Sequence, residues 1–377
     1  MERPIFQPPG TPVEELDTPA LVVDLDVMDR NIETVHGSFR DTSAKVRPHA
    51  GRHQCPQIAR RQLQAGATMG VTMGGIAVTT VGEATVFAEA GFEDILVASP
   101  VVTRSKIARL CALAGSNRIS VAVDDAANVA ALSQAAAAGG VSIAVLVEMD
   151  LGLGRCGVAG GSEALELARV VEGAPGLRFQ GLMAIPPDPG DAGEGPDKSE
   201  MEPQLKAQLQ PVVDVKELLE RAGVNVEVVS VGGTHNYDVA AKTNGVTEVQ
   251  AGSYPLMDHH LCTRRPELEP AAKILASVIS RPTGDSAVVD AGHKATGPDR
   301  GLAVLQGIEG AKATRFSAEH GVLTLEDEAA ARLKPGDKTW LVPFNLSLCI
   351  NQFDYIRAVR RGKLEGFWPI AGRGQFG

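Results

Sequence analysis

The chain has 377 residues, 44% of them apolar and 22% charged, which is enough to bury a core without disulfide or metal staples. A net charge of −10 disfavours phosphate backbones, so nucleic acid is not an expected partner. No apolar run reaches the ~20 residues a membrane helix needs, no signal peptide is visible, and five scattered cysteines do not read as a disulfide framework, so a cytoplasmic protein is expected.

Residues 1–16 are proline-rich and irregular. TPALVVDLD (18–26) reads as a strand by its β-branched run, and Val27–Phe39 as a helix capped by Asp26. Eight short apolar runs follow: 45–49, 69–73, 94–98, 119–123, 143–149, 179–184, 226–231 and 247–251. Ala/Leu-rich helical stretches separate them, and most of these end in Gly, the usual residue after a helix C-terminus. Strand–helix alternation over this length predicts an α/β (β/α)8 TIM barrel, with no strand-linked GxGxxG to favour an open dinucleotide-binding sheet. Beyond RRPELEP (264–270) strand-like runs dominate. The reading is a barrel domain at 1–265, with 1–16 as an extension, and a mainly antiparallel β domain at 266–377. The acidic, Gly/Pro-rich stretch 188–202 reads as a solvated loop, with a lid over the barrel as the sharper option.

Barrel chemistry sits in the loops that leave the C-terminal ends of the strands. There the sequence places His49, Arg52, His53 and Cys55, then Ser99, Asp124, Asp125, Asp150 and Arg155. GGTHNYD supplies Gly232, Gly233, Thr234, His235, Asn236 and Tyr237, and the last loop supplies Ser253, Tyr254, Asp258, His259, His260 and Cys262. Gly232–Gly233 would let backbone N–H groups approach a phosphate, although Gly pairs serve tight turns more often. Five of the eight histidines fall in these loops. Imidazole is the commonest metal ligand, so a divalent metal on His235, Asp258, His259 and His260 is weighed against ordinary packed histidines. Adjacent His259 and His260 would point opposite ways if extended, so one at most enters a cavity from a strand.

The ordered segments TPALVVDLDVMDRNI, RPHAGRHQCPQIA, VGEATVFAEAGFEDILVA, VEMDLGLGRCGV, SVGGTHNYD, VQAGSYPLMD, VVDAGHKATGPDRG and GFWPIAGRG resemble the D-threonine aldolase and D-serine dehydratase-like proteins, of the alanine-racemase fold of pyridoxal phosphate (PLP) enzymes. The resemblance runs from about residue 15 to 374 and implies a barrel plus a β domain. It also implies a homodimer in which segments 290–300 and 345–353 help cover a partner's barrel. The family's His-x-Lys-Thr-His-Lys pattern becomes HAGRHQ here, so Gly51 and Arg52 replace the Schiff-base lysine and its neighbour, while His49 and His53 match. The family's phosphate loop acquires His235 and Asn236, and Ile185–Asp188 replaces its Tyr-x-Gly-His-like turn. Its C-terminal metal pair becomes Asn345 and Ser347 in PFNLS. Arg155, Asp258, His49, His53 and Glu319–His320 are retained.

These departures make PLP an unexpected cofactor. The expectation is a PLP-independent, metal-assisted lyase of aldolase or dehydratase type on a small polar hydroxy, oxo or amino acid. His49, His53, Arg155 and Asp258 would be catalytic. Arg52, Gly232, Gly233, Thr234, Asn236, Tyr237 and Ser253 would bind substrate or phosphate. The alternatives are a non-catalytic small-molecule binder, and an aldolase-like enzyme using PLP noncovalently or through another lysine such as Lys294.

Overall fold

The computed structural model of the chain describes residues 7–188, 198–297 and 299–377. The core of the acidic stretch 188–202, and Pro298 of the candidate cover segment, therefore lie outside the described residues. The chain forms two compact units. One comprises residues 35–52, 59–252 and 375–377, the other residues 1–34, 53–58 and 253–374.

The first unit is the barrel. β1 (Ala20–Asp24) precedes it in the chain. Its strands are β2 (Lys45–Val46), β3 (Ile76–Val78), β4 (Asp94–Val97), β5 (Arg118–Val123), β6 (Ile143–Met149), β7 (Leu177–Ala184), β8 (Val228–Val231) and β9 (Glu248–Val249). They pair in parallel in the order β2-β9-β8-β7-β6-β5-β4-β3. Bridges Val46–Met73 and His49–Ala77 join the two outer strands and close the ring. Ala77, Leu96, Ala122, Leu146 and Met183 pack together as the interior layer. With a side-chain period of two, that layer fixes which residues of each strand face inward.

The expected strand at 69–73 lies instead at 76–78. The preceding helix runs on to Met69, Gly70 at φ +72 ends it, and Gly75 at φ +82 turns the chain into β3. The helix expected at Val27 begins at Leu25, and its cap is Asp24 rather than Asp26. Asp24 Oδ1 accepts the N–H groups of Asp26 and Val27, whereas Asp26 pairs with Arg360 at 2.6 Å.

The second unit holds a nine-stranded sheet. Its members are β1, β10 (Ala272–Ser280), β11 (Ser286–Val289), β12 (Val304–Gln306), β13 (Ala311–Phe316), β14 (Gly321–Leu325), β15 (Lys338–Val342), β16 (Tyr355–Arg360) and β17 (Lys363–Pro369). All neighbours are antiparallel except β1 and β16. β1 thus belongs to this sheet, although the sequence placed residues 1–265 together. Its apolar residues Ala20 and Val22 pack with Leu275, Val359 and Leu364 of the second unit.

Candidate active site at the barrel mouth

The loop after β2 carries His49, Gly51 and Arg52. Pro48 has no N–H to give toward β3, while Arg47 and His49 still donate to Val249 O and Ala251 O, and the chain then tightens into a turn over Ala50–Arg52. Arg52 donates its N–H to His49 O at 3.1 Å. Gly252, after β9, lies against this turn so closely that a Cβ there would fall 2.5 Å from His49 O. A Cβ on Gly51 would meet Glu83 Oε2 at 3.0 Å and His49 Cε1 at 3.1 Å. Glu83 does not yield freely, because its Oε2 accepts the N–H groups of Thr79 (2.8 Å) and Thr80 (3.2 Å) in the capping box of the helix Val81–Glu89.

The loop after β8 is folded on itself. Gly233 donates its N–H to Asn236 Oδ1 at 2.9 Å, and a Cβ on Gly232 would sit 2.9 Å from the same oxygen. The side chain of Asn236, fully buried, fills the place where the Gly pair was expected to cradle an anion. His235 lies over Gly233, and Thr234 and Tyr237 are buried.

The loop after β6 brings Arg155 to the barrel. Its exposed guanidinium lies 3.8 Å from Glu148 Oε1 on β6. Asp150 accepts the N–H groups of Gly152, Leu153 and Gly154, and Asp124 accepts that of Gly157 at 2.9 Å, which shapes the loop 151–157. Burial pushes the Glu148 carboxyl up to about 7; Arg155 opposes this, and Asp124 and Asp150 add to it. Glu148 was passed over in the sequence. The signal was present as a lone carboxylate in the apolar run IAVLVEM, at the same parity as inward-facing Leu146.

The other expected site residues belong to the second unit. His53 is buried and accepts the N–H of Cys55 at Nδ1. Asp258 caps the short helix His259–Arg264 through Leu261 N–H and also takes Leu346 N–H at 3.0 Å, so both its oxygens hold backbone. The rings of His259 and His260 each lie 5.7 Å from Phe344. Ser253 accepts backbone N–H groups of Leu256 and Met257 at its carbonyl. Asn345 Oδ1 takes Ser347 N–H at 2.9 Å and starts the helix Leu346–Ile350. Exposed Lys294 pairs with Glu319. Burial pushes the thiols of Cys55 and Cys262 up to about 12, far from ligand thiolates.

The described side chains do not assemble the metal set His235, Asp258, His259 and His260 into one ligand group. Among the described residues no three His, Cys, Asp or Glu side chains form a group fit to hold a metal. Asp258 and Asn345 are helix caps, and His259 and His260 are ring partners of Phe344. The residues present do not fit a Schiff-base PLP either. Position 51 offers no amine, Asn236 fills the phosphate loop, and the described lysines of the barrel unit lie on helices or, for Lys45, at the opening of β2. No helix among the described residues is long and apolar enough to cross a membrane.

A closed parallel barrel with a separate antiparallel sheet, and a polar mouth built from βα loops, defines an alanine-racemase-fold protein. Residues 23–259 match the family described as alanine racemase, N-terminal domain, and residues 271–359 the putative serine dehydratase domain. The chain is 35% identical over 370 residues to D-threonine aldolase from Arthrobacter sp, spanning 97% of this chain and 95% of that protein. It is 34% identical to 3-hydroxy-D-aspartate aldolase from Paracoccus denitrificans (strain Pd 1222), with the same coverage. The solved structure of D-threonine aldolase from Filomicrobium marinum superposes with a TM-score of 0.89 at 35% identity, covering 98% of this chain and 99% of that one. The chain belongs to this family, and its relatives named as aldolases and as a dehydratase are lyases.

Proposed function

We propose that the barrel mouth is a lyase-type site for a small hydroxy or oxo acid that works without a Schiff-base lysine. The observation that carries the reading is Gly51, backed by Glu83 and His49 where a lysine side chain would have to start. Threonine and 3-hydroxyaspartate, which name the relatives' substrates, are small hydroxy amino acids, and of that chemistry the hydroxy acid without the amine is kept here. Arg155, exposed at the mouth, is the anchor for the ligand's carboxylate, since a guanidinium fork matches two carboxylate oxygens. His49, on the turn beneath Gly252, is the nearby proton acceptor. No step is assigned to a metal, because both oxygens of Asp258 hold backbone N–H groups and the described donors form no group fit to hold one.

The test is turnover of a panel of small 3-hydroxy and 2-oxo acids by hydroxylamine-treated protein, read as released aldehyde or oxo acid. Activity is expected to be unchanged by added PLP or by a chelator, and to fall roughly 100-fold in Arg155→Met. Activity that appears only with PLP would overturn the reading. Ligand binding without turnover would leave a binder in place of a lyase.

A further inference from the structure

Three carboxyl groups gather where β5 and β6 open into their loops, and they are not equivalent. Asp150 accepts three backbone N–H groups and Asp124 accepts one, so both are tied to the loop 151–157. Glu148 is the sixth residue of the seven-residue β6, inward-facing by its parity with Leu146, and its side chain is 4% exposed. Its Oε1 stands 3.8 Å from Arg155, beyond hydrogen-bond reach. Its Oε2 is shut off from solvent and has no hydrogen-bond partner. A buried oxygen without a partner is costly, more so when charged. The groups facing it are Asp124 from the loop after β5, and Asp150, Arg155 and Cys156 from the loop after β6. Burial, with Asp124 and Asp150 adding to it, outweighs the exposed Arg155 guanidinium and keeps a proton on the third carboxyl near neutrality.

We propose that Glu148, as a neutral carboxylic acid, is the hydrogen-bond donor of the mouth, and that its carboxyl O–H, brought toward Arg155 by rotation of the carboxyl group, binds the hydroxy or oxo oxygen of the ligand whose carboxylate lies on Arg155. This rests on the reading of the mouth as a hydroxy- or oxo-acid site. A donor aimed at an oxo oxygen also stabilises negative charge that develops there. Specificity follows. Acids that carry an oxygen beside the carboxylate are preferred to plain acids of the same length, and amines are not, because an ammonium group would need Glu148 ionised.

The experiment has two arms on the full chain. Carbon-13 NMR of glutamate-labelled protein, with Glu148→Gln to assign the signal, follows Glu148 without any ligand. Calorimetry then measures pyruvate, and propanoate as the same acid without its oxo oxygen, at pH 6 and pH 8.5. The proposal expects Glu148 to titrate near neutrality and pyruvate to bind roughly tenfold more weakly at the higher pH, with propanoate indifferent. Glu148→Gln, whose amide still donates, keeps pyruvate binding and loses the pH dependence, whereas Glu148→Ala loses the preference for pyruvate. Equal binding of the two acids at both pH values overturns the role of Glu148 and leaves the anchoring role of Arg155 standing. If neither acid binds while Glu148 titrates near neutrality, the site reading itself falls and the donor role falls with it.

Discussion

Two glutamates of the barrel unit, Glu248 and Glu148, are each 3% exposed and meet opposite fates. Glu248 opens β9. Its Oε2 lies 2.8 Å from Arg47 Nε, and its Oε1 accepts Ser230 Oγ–H at 2.6 Å. Arg47 in turn reaches Asp94 at 2.7 Å and the carbonyl of Ile76 at 3.2 Å. Glu148, one residue from the end of β6, has no such company. The contrast separates scaffold from site. Glu248 has a close cation and a hydroxyl donor, whereas the Oε2 of Glu148 has neither.

The largest expected effect breaks the scaffold side of this comparison. Arg47→Met should cost about 3–5 kcal/mol in urea unfolding, because Glu248 would be left buried without its cation. Glu148→Gln should do the reverse, in a pH-dependent way. In the unfolded chain Glu148 loses its proton near its ordinary value of 4.5, in the folded chain only at about 7. Native stability therefore falls as pH rises between those values, and the glutamine variant, with no proton to lose, should gain on the order of 3 kcal/mol over wild type between pH 4.5 and pH 8. Ser230→Ala removes the hydrogen bond to the Glu248 carboxylate, and with it the one Ser230 accepts from Gln250 Nε2, and should cost about 1.5–3 kcal/mol, with no effect on ligand binding at the mouth. A Ser230→Ala protein as stable as wild type would mean that Glu248 does not depend on the partner that sets it apart from Glu148.

Much of the fold was legible in the sequence, because the strand and helix periods and the terminal glycines are local signals. The strand at 76–78 was missed because Met69 and Val71 prolong an apolar run across a helix end that Gly70 sets by backbone conformation. The place of β1 was not readable, since pairing with Leu275 and Arg357 is a contact across more than 250 residues. At the site, Gly51, where the resemblance leads one to expect a lysine, could be read directly from the order of residues. Whether a histidine points at a cavity or at Phe344, and whether Asn236 leaves its loop open or fills it, depends on side-chain direction. The residue that stands out in three dimensions, Glu148, differs from Glu248 only in the partners that the fold brings to it.

The central claim, a mouth that works without a lysine-bound cofactor, is tested most directly by intact-mass measurement after borohydride reduction of the protein incubated with PLP. The account predicts an unchanged mass for the chain under conditions where its activity persists. A stoichiometric reduced PLP adduct, mapped to any lysine of the chain, would contradict it.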